Sequence, residues 1–323
     1  MRAVYAASQS ARSPLSGLTV GDLPAPDAPQ GFRRVRVVAS ALNHHDLWSL
    51  RGVGLAQEKL PMILGCDAAG IDDDGNEVIV HSVISSDGWQ GDETLDPRRT
   101  LLSELHPGTM ADYVWVPARN LVPKPAGLSF EDAACLPTSW LTAYRMLFTT
   151  STAAPGSTVL VQGAGGGVAT ALIALASAAG FRVWATSRSE KKRRLARELG
   201  AAETFDAGSR LPERVDVVFD SVGEATWSHS LKALKPGGAV VTCGATSGAA
   251  PAADLNRVFF LQLRVLGSTM GTRDELDRLA RFLEVTGVRP RIDSVHRLED
   301  AHDGFERMLN GDVFGKVLFQ HGD

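Results

Sequence analysis

Short alternating segments broken by proline and glycine make up the first third of the chain. Longer apolar runs alternate with amphipathic stretches in the rest. Arg2 to Ala6 and Arg34 to Ala41 read as strands, the second alternating Arg34 and Arg36 with apolar neighbours. Pro24, Pro26 and Pro29 mark an irregular crossing between them, and Ile71 to Val80 reads as a hairpin around Asp72–Asn76. His81 to Pro107 is polar and poorly periodic, which predicts a long surface loop, and Tyr113 to Val116 and Asn120 to Val122 are again strand-like. The texture changes at Pro123-Lys124-Pro125. Ser129 with Glu131 and Asp132 opens a helix running to about Cys135, and Pro137 opens a longer one with Trp140, Tyr144 and Leu147.

Beyond that point strands at Thr158–Val161, Arg182–Thr186, Val215–Phe219, Ala239–Cys243 and Leu263–Leu266 alternate with helical runs, and Gly237-Gly238 reads as a turn. Such alternation predicts an α/β fold with a doubly wound parallel sheet. A helix over Arg273–Thr286, a strand near Ser294–Arg297, a helix over Glu299–Asn310 and a strand at Lys316–Gln320 complete the chain.

One stretch carries specific chemistry. The buried-type run Thr158–Val161 stops at glycine, and Gly163, Ala164, Gly165, Gly166, Gly167 and Val168 lead into an Ala-rich helix ending at Gly180. A turn this tight against a pyrophosphate tolerates no side chains. The helix behind it aims free N–H groups and the positive end of its dipole at the phosphates. Strand, glycine turn, helix and second strand together point to a dinucleotide site. A Gly-rich turn in some other α/β unit is the bland alternative. The second strand ends at Thr186, Ser187 and Arg188, where an NAD-selective site usually carries an acid for the ribose hydroxyls. A hydroxyl beside a guanidinium suits a 2′-phosphate, so NADPH is expected over NADH, with Ser187, Arg188 and Lys192 as phosphate contacts. Arg193 and Arg194 read instead as the solvated face of the next helix.

Composition narrows the choice further. The 323 residues are 44% hydrophobic and 22% charged, with a net charge of −4, which gives no nucleic-acid footprint. Val168 to Ala179, the longest apolar-rich stretch, is too short for a bilayer, and the N-terminus lacks a signal-peptide core, so a cytoplasmic protein is expected. Cys66, Cys135 and Cys243 are widely spaced, with no CxxC pair for disulfides or a zinc finger.

These residues resemble the medium-chain dehydrogenase/reductase superfamily, nearest to its zinc-independent quinone oxidoreductase-like and zinc-type alcohol dehydrogenase-like members. The resemblance rests on Ala41–Gly52 (ALNHHDLWSLRG), Pro61–Gly70 (PMILGCDAAG), Leu136–Leu147, the glycine turn, Phe219–Gly223 (FDSVG), Leu234–Gly244 (LKPGGAVVTCG) and Gly315–Phe319 (GKVLF). It implies a GroES-like, mostly-β catalytic domain from residues 1–125 and 266–323, with a Rossmann NADP-binding domain of residues 126–265 inserted and the active-site cleft at their junction. It further implies that Gly244, Ala245, Thr246, Ser268 and Thr269 lie along the nicotinamide half of the cofactor, and that the protein is a homodimer paired through the strand near Leu263–Leu266.

Zinc-dependent members use two Cys and a His in a Gly-His-Glu sequence. Aligning the motifs puts Asn43, Cys66 and Thr138 at the ligand positions, with Asp67 in place of the Glu. An amide and a hydroxyl are poor zinc ligands, so no metal is expected. A rival set, His44, Cys66 and Cys135, is off register for the family's tetrahedral site, and Cys66 reads as a small buried packing residue. The cysteine-rich structural zinc lobe is also absent from His81–Pro107. By family position Asn43, His44, Asp46 and Thr138 are the candidate catalytic residues. Asn43 would donate to a substrate carbonyl, Thr138 would bond substrate or nicotinamide, and His44 and Asp46 would relay a proton or merely hold the loop Asn43–Gly52. Trp48 stands where several relatives carry a proton-donating Tyr and would shape an apolar pocket. The expected activity is NADPH-dependent, zinc-independent hydride transfer to a quinone or α,β-unsaturated carbonyl, with a small-molecule substrate. Its alternatives are an alcohol/aldehyde dehydrogenase retaining zinc and a silent NADPH-binding protein.

Overall fold

The computed structural model describes residues 1–26 and 28–322; Asp27 and Asp323, within the first and last segments read from the sequence, lie outside the described residues. Its opening segment holds β1 (Arg2–Ala6), β2 (Leu18–Asp22), β3 (Phe32–Ala41), α1 (His44–Leu50), β4 (Met62–Ile63), β5 (Asp67–Asp72) and β6 (Glu77–Val80). It continues with β7 (Val83–Ile84), β8 (Thr100–Leu101), β9 (Tyr113–Pro117), β10 (Leu121–Pro123), α2 (Phe130–Ala134) and α3 (Leu141–Arg145). The middle holds β11 (Thr158–Val161), α4 (Gly167–Ala178), β12 (Arg182–Thr186), α5 (Glu190–Glu198), β13 (Glu203–Phe205) and β14 (Val215–Asp220). It is completed by α6 (Glu224–Ala233), β15 (Leu234–Thr242), α7 (Leu255–Phe260) and β16 (Arg264–Gly267). The return segment is α8 (Arg273–Thr286), β17 (Ile292–Arg297), α9 (Ala301–Leu309) and β18 (Lys316–Gln320).

The chain divides into two compact units, Met1–Leu141 with Met270–Asp323, and Thr142–Thr269. The resemblance implied boundaries at 125 and 265. The helix α2, opened by Ser129 accepting from the Asp132 amide, packs on β3 and β5 and so belongs with the first unit.

In the first unit β10-β6-β5-β3-β18-β17 form a mixed sheet in which β9 also pairs with β3. A second sheet runs β2-β1-β4. β18 lies antiparallel to β3 in the register Leu318 to Ala41 and Phe319 to Ser40, so the end of the chain closes the sheet beside its own beginning. One apolar core gathers Val4, Leu42, Leu64, Phe305 and Phe319. Trp48 packs partly buried against this core, which is the bland alternative to the pocket-shaping role read from the sequence.

In the second unit the parallel sheet runs β13-β12-β11-β14-β15-β16, the doubly wound order 3-2-1-4-5-6. β11 is buried along its whole length, and α4, built of small residues, packs directly over it and β12.

Three sequence expectations are corrected. The stretch Asn43–Gly52 is not a loop: His44–Leu50 is helical, with the Asn43 backbone N–H capped by Asp46 Oδ2 at 2.9 Å. His81–Pro107 is not merely a surface loop, because His81, Ser82, Val83, Ile84, Asp96, Leu102 and Ser103 are buried. Asp96 staples the segment, accepting from the Ser86 amide and hydroxyl at 2.6 and 2.7 Å and from the Arg98 amide at 2.8 Å. The helix expected from Pro137 onward is interrupted by wider π turns at Leu136–Trp140 and Met146–Thr150.

Candidate functional site

The glycine turn of the second unit is built at the C-terminal ends of β11 and β12. Gly163 has φ +75, and a Cβ there would lie 2.8 Å from Val222 Cγ2. Its N–H donates to Thr186 Oγ1 at 3.3 Å, and the Ala164 N–H donates to the Thr186 carbonyl at 2.7 Å, so the turn hangs on the end of β12. Gly166 caps α4 without any side-chain partner and is open around its missing Cβ, which leaves the helix N-terminus to a ligand. Val168 lies in the first turn of that helix. A Cβ on Gly165 would come within 3.0 Å of Lys192 Cδ and 3.3 Å of its Nζ, so the lysine already lies along the cradle. Backbone N–H donors and a helix dipole fit a pyrophosphate.

Beneath the turn lies a buried polar network that the sequence reading missed. Thr186 Oγ1 donates to Gln162 Oε1 at 2.6 Å, and Gln162 Nε2 donates to Ser230 Oγ at 3.0 Å and to His229 Nδ1 at 2.8 Å. His229 Nε2 faces the Ser209 carbonyl at 2.8 Å and must donate there, which makes Nδ1 the acceptor. Ser230 passes the chain on to Asp220 Oδ2 at 2.7 Å, while Asp220 Oδ1 receives the Val222 and Gly223 amides. The only local signal was a glutamine directly after an unbroken apolar strand.

At the end of β12, Ser187 is buried and its hydroxyl accepts from the Ser189 amide at 3.2 Å, leaving its own proton to give. Arg188 is exposed. Arg193 is no solvated-face residue: it donates to the Ser187 carbonyl at 2.7 Å and pairs with Asp206, clamping this corner. Gly244, Ala245 and Thr246 follow β15, and Ser268 and Thr269 follow β16, at the same carboxyl edge of the sheet as the glycine turn. Ser268 Oγ accepts from Thr150 Oγ1 at 3.3 Å.

The polar cluster of the first unit centres on a residue for which the sequence reading gave no role. Lys316, only 2% exposed, donates from Nζ to the Leu42 carbonyl at 2.9 Å, to Asn43 Oδ1 at 2.7 Å and to Asp67 Oδ2 at 2.9 Å. Asp67 is fully buried and its Oδ1 has no partner among the described residues; neither has Thr138 Oγ1. Asp46 is fully buried and uses both oxygens on backbone amides, those of Asn43 and Gly65, each at 2.9 Å. Burial pushes its pKa up to about 7 even against these two bonds. It therefore holds α1 against the β4–β5 turn rather than relaying protons.

His44 is solvent-accessible, and no hydrogen bond of its ring is found among the described residues. Partial desolvation by the surrounding protein, then Arg51 and Lys316, lower its pKa below the usual imidazole value. His45 instead contacts Ser103 Oγ at 3.1 Å. The Cys66 thiol donates to the Leu102 carbonyl at 3.1 Å, and burial holds its pKa well above that of a free thiol.

This donor set does not fit zinc. Asn43 offers an amide whose oxygen is taken by Lys316, Thr138 offers a neutral hydroxyl, and the one sulfur, Cys66, cannot replace three N/S donors. Cys135 of the rival set donates to the Glu131 carbonyl at 3.3 Å, and its thiol is likewise pushed up by burial. Among the described residues no group of three or more His, Cys, Asp or Glu is arranged to hold a metal ion.

A family model described as an alcohol dehydrogenase GroES-like domain matches residues 30–126, and one described as a zinc-binding dehydrogenase matches residues 167–285. The chain belongs to the medium-chain dehydrogenase/reductase superfamily. It is an NAD(P)H-dependent oxidoreductase. A solved structure described as an NAD-dependent alcohol dehydrogenase shares 36% identity and a TM-score of 0.91, with 100% of both chains covered. An alcohol dehydrogenase of Geobacillus stearothermophilus is 29% identical, covering 94% of this chain and 96% of its own. A crotonyl-CoA reductase of Streptomyces avermitilis is 28% identical, covering 94% of this chain and 82% of its own. Within the superfamily, then, this chain resembles both alcohol dehydrogenases and a reductase of a conjugated thioester. Among the described residues no helix is long and apolar enough to cross a membrane.

Proposed function

We propose that this superfamily member is an NADPH-dependent, zinc-independent reductase of small carbonyl compounds conjugated with a carbon–carbon double bond, an enone or a quinone. The observation that carries the reading is the donor set at the superfamily's zinc positions, an amide whose oxygen is taken by Lys316, a single thiol and a hydroxyl. Such groups stabilise a delocalised charge by hydrogen bonding but supply no Lewis acid. The crotonyl-CoA reductase relative supports a conjugated acceptor.

Bound NADPH supplies the hydride. Ser187, Arg188 and Lys192 hold its 2′-phosphate, Gly163 to Val168 its pyrophosphate, and Gly244 to Thr246 with Ser268 and Thr269 flank its nicotinamide half. Hydride addition at the β-carbon drives an electron pair onto the acceptor's carbonyl oxygen, where Asn43 Nδ2 and Thr138 Oγ1 donate. A proton then completes the α-carbon. His44, accessible and titratable, carries that proton from water, since Asp46 has no free oxygen.

A homodimer forms through β16. This edge strand carries exposed Val265, and Phe259 and Phe260 in the preceding helix are 67% and 80% exposed.

The second reading, alcohol dehydrogenation with NAD, is favoured by the solved structure at 36% identity and its description. The two part in one experiment: NADPH and NADH oxidation by untagged, EDTA-treated protein against enones, quinones and simple aldehydes. Turnover of conjugated acceptors with NADPH is expected. Activity on aldehydes alone, or only after zinc is added, would overturn the proposal.

A further inference from the structure

Lys316 is a buried cation of the first unit to which the proposed reaction gives no task. An ammonium has three protons and accepts nothing. Lys316 spends its donors on the Leu42 carbonyl, Asn43 Oδ1 and Asp67 Oδ2, at 2.9, 2.7 and 2.9 Å, so it has no proton left for a substrate. Its effect on Asn43 is directional. The amide oxygen must face the ammonium, because an amide N–H2 turned that way would oppose donor to donor. The amide nitrogen is thereby turned away, and its one hydrogen bond among the described residues is a long 3.5 Å approach to the Ala41 carbonyl. The backbone cannot compensate by swinging, because Asp46 Oδ2 holds the Asn43 N–H at 2.9 Å.

We infer that Lys316 is a positioning residue: it locks the Asn43 side chain with Nδ2 outward and polarises it into a charge-assisted donor for the acceptor's carbonyl oxygen. A full positive charge on the amide oxygen strengthens the opposite N–H bonds as donors. Held in low dielectric, this charge stabilises an enolate oxygen one residue away without touching it. Asp67 keeps the ammonium in place and offsets its burial. The inference rests on the proposed carbonyl reduction and assigns the part that Lys316 takes in it.

Three variants test it. Asn43→Asp keeps an oxygen for Lys316 but loses the donor; its fold should persist while kcat falls on the order of 10²-fold with KM little changed. Lys316→Met paired with Asp67→Leu removes the charge without stranding the carboxylate, and should lower kcat to a similar degree. Added to Asn43→Ala, the same pair should cost no further kcat, because both act through one hydrogen bond. The direct readout is the 15N-labelled side-chain amide of Asn43, assigned by its disappearance in Asn43→Asp. Its protons should resonate well downfield in the native protein and move upfield when Lys316 and Asp67 are replaced.

Full kcat in Asn43→Asp, additive losses, or an Asn43 amide that does not respond to loss of Lys316 would each overturn the inference. If the native protein reduces no carbonyl acceptor at all, the proposed function fails. The amide resonance then still decides, by itself, whether Lys316 orients Asn43.

Discussion

Around Lys316 the protein turns its polar groups on one another, whereas around Gly163 to Gly167 it holds the backbone from behind and leaves the front open. The first assembly is a buried ion pair with its donors consumed by Leu42, Asn43 and Asp67. The second is a turn anchored through Thr186, Gln162 and Asp220, with exposed Arg188 and the Lys192 side chain lying beside it. One buries charge to fix the direction of a single amide. The other arranges charge where an anion still has to arrive. The first should govern folding and rate, and the second affinity and its dependence on salt.

The strongest way to break this comparison is Lys316→Met alone. It leaves Asp67 buried without its counter-ion and should cost about 3–5 kcal/mol in urea unfolding. A loss under 1 kcal/mol would mean that the pair is not the closed assembly described here. Gly163→Val comes next. It forces a β-branched residue to φ +75 against Val222 and should weaken NADPH binding about 100-fold in a fluorescence titration, about 2.7 kcal/mol. Native affinity in that variant would show that the turn is not the phosphate cradle. Ser187→Asp should cost about tenfold in NADPH affinity relative to NADH, by setting an acid beside the 2′-phosphate. Raising salt should weaken NADPH binding in the native protein and leave unfolding by urea far less affected, since the Lys316 pair is shielded from counter-ions.

A separate effect concerns pH. Burial holds His81 and His321 at about 4, below the unfolded value of 6.5. Their contribution is therefore complete above pH 6.5 and is lost as pH falls toward 4. Asp46 has the opposite sign. Raised to about 7, it contributes most when protonated, and that contribution fades as pH rises through 7. Asp46→Asn should accordingly lag the native protein most near pH 5 and least above pH 8 in thermal melts. A constant gap would remove the raised acid from the account.

The same contrast explains what was legible in the sequence. The glycine turn could be read because strand, turn and helix are consecutive, and Ser187 and Arg188 sit at a countable distance beyond them. Lys316 could not, because its partner Asp67 is 249 residues away and β3 brings them together by pairing with both β5 and β18. The helix α1 was not read although Asn43 and Asp46 have the spacing of a capping pair, since both, with His44, were assigned to chemistry. Arg193 looked like one more surface cation in a basic run, and only the folded corner gives it Ser187 and Asp206 as partners. His81–Pro107 lacked period because its strands β7 and β8 are only two residues each and the chain between them is held by the Asp96 staple.

That Lys316 lies on β18 also sets the order in which the molecule can be completed. A ribosome delivers Asn43 and Asp67 first and the middle unit next, and the counter-ion of Asp67 emerges only after both. Until then β3 lacks its β18 neighbour and a carboxylate destined for a dry interior must stay hydrated. The middle unit, contiguous from Thr142 to Thr269, can form while the first is still waiting. A nascent chain stalled before residue 316 should therefore hold a protease-resistant middle between two digestible flanks.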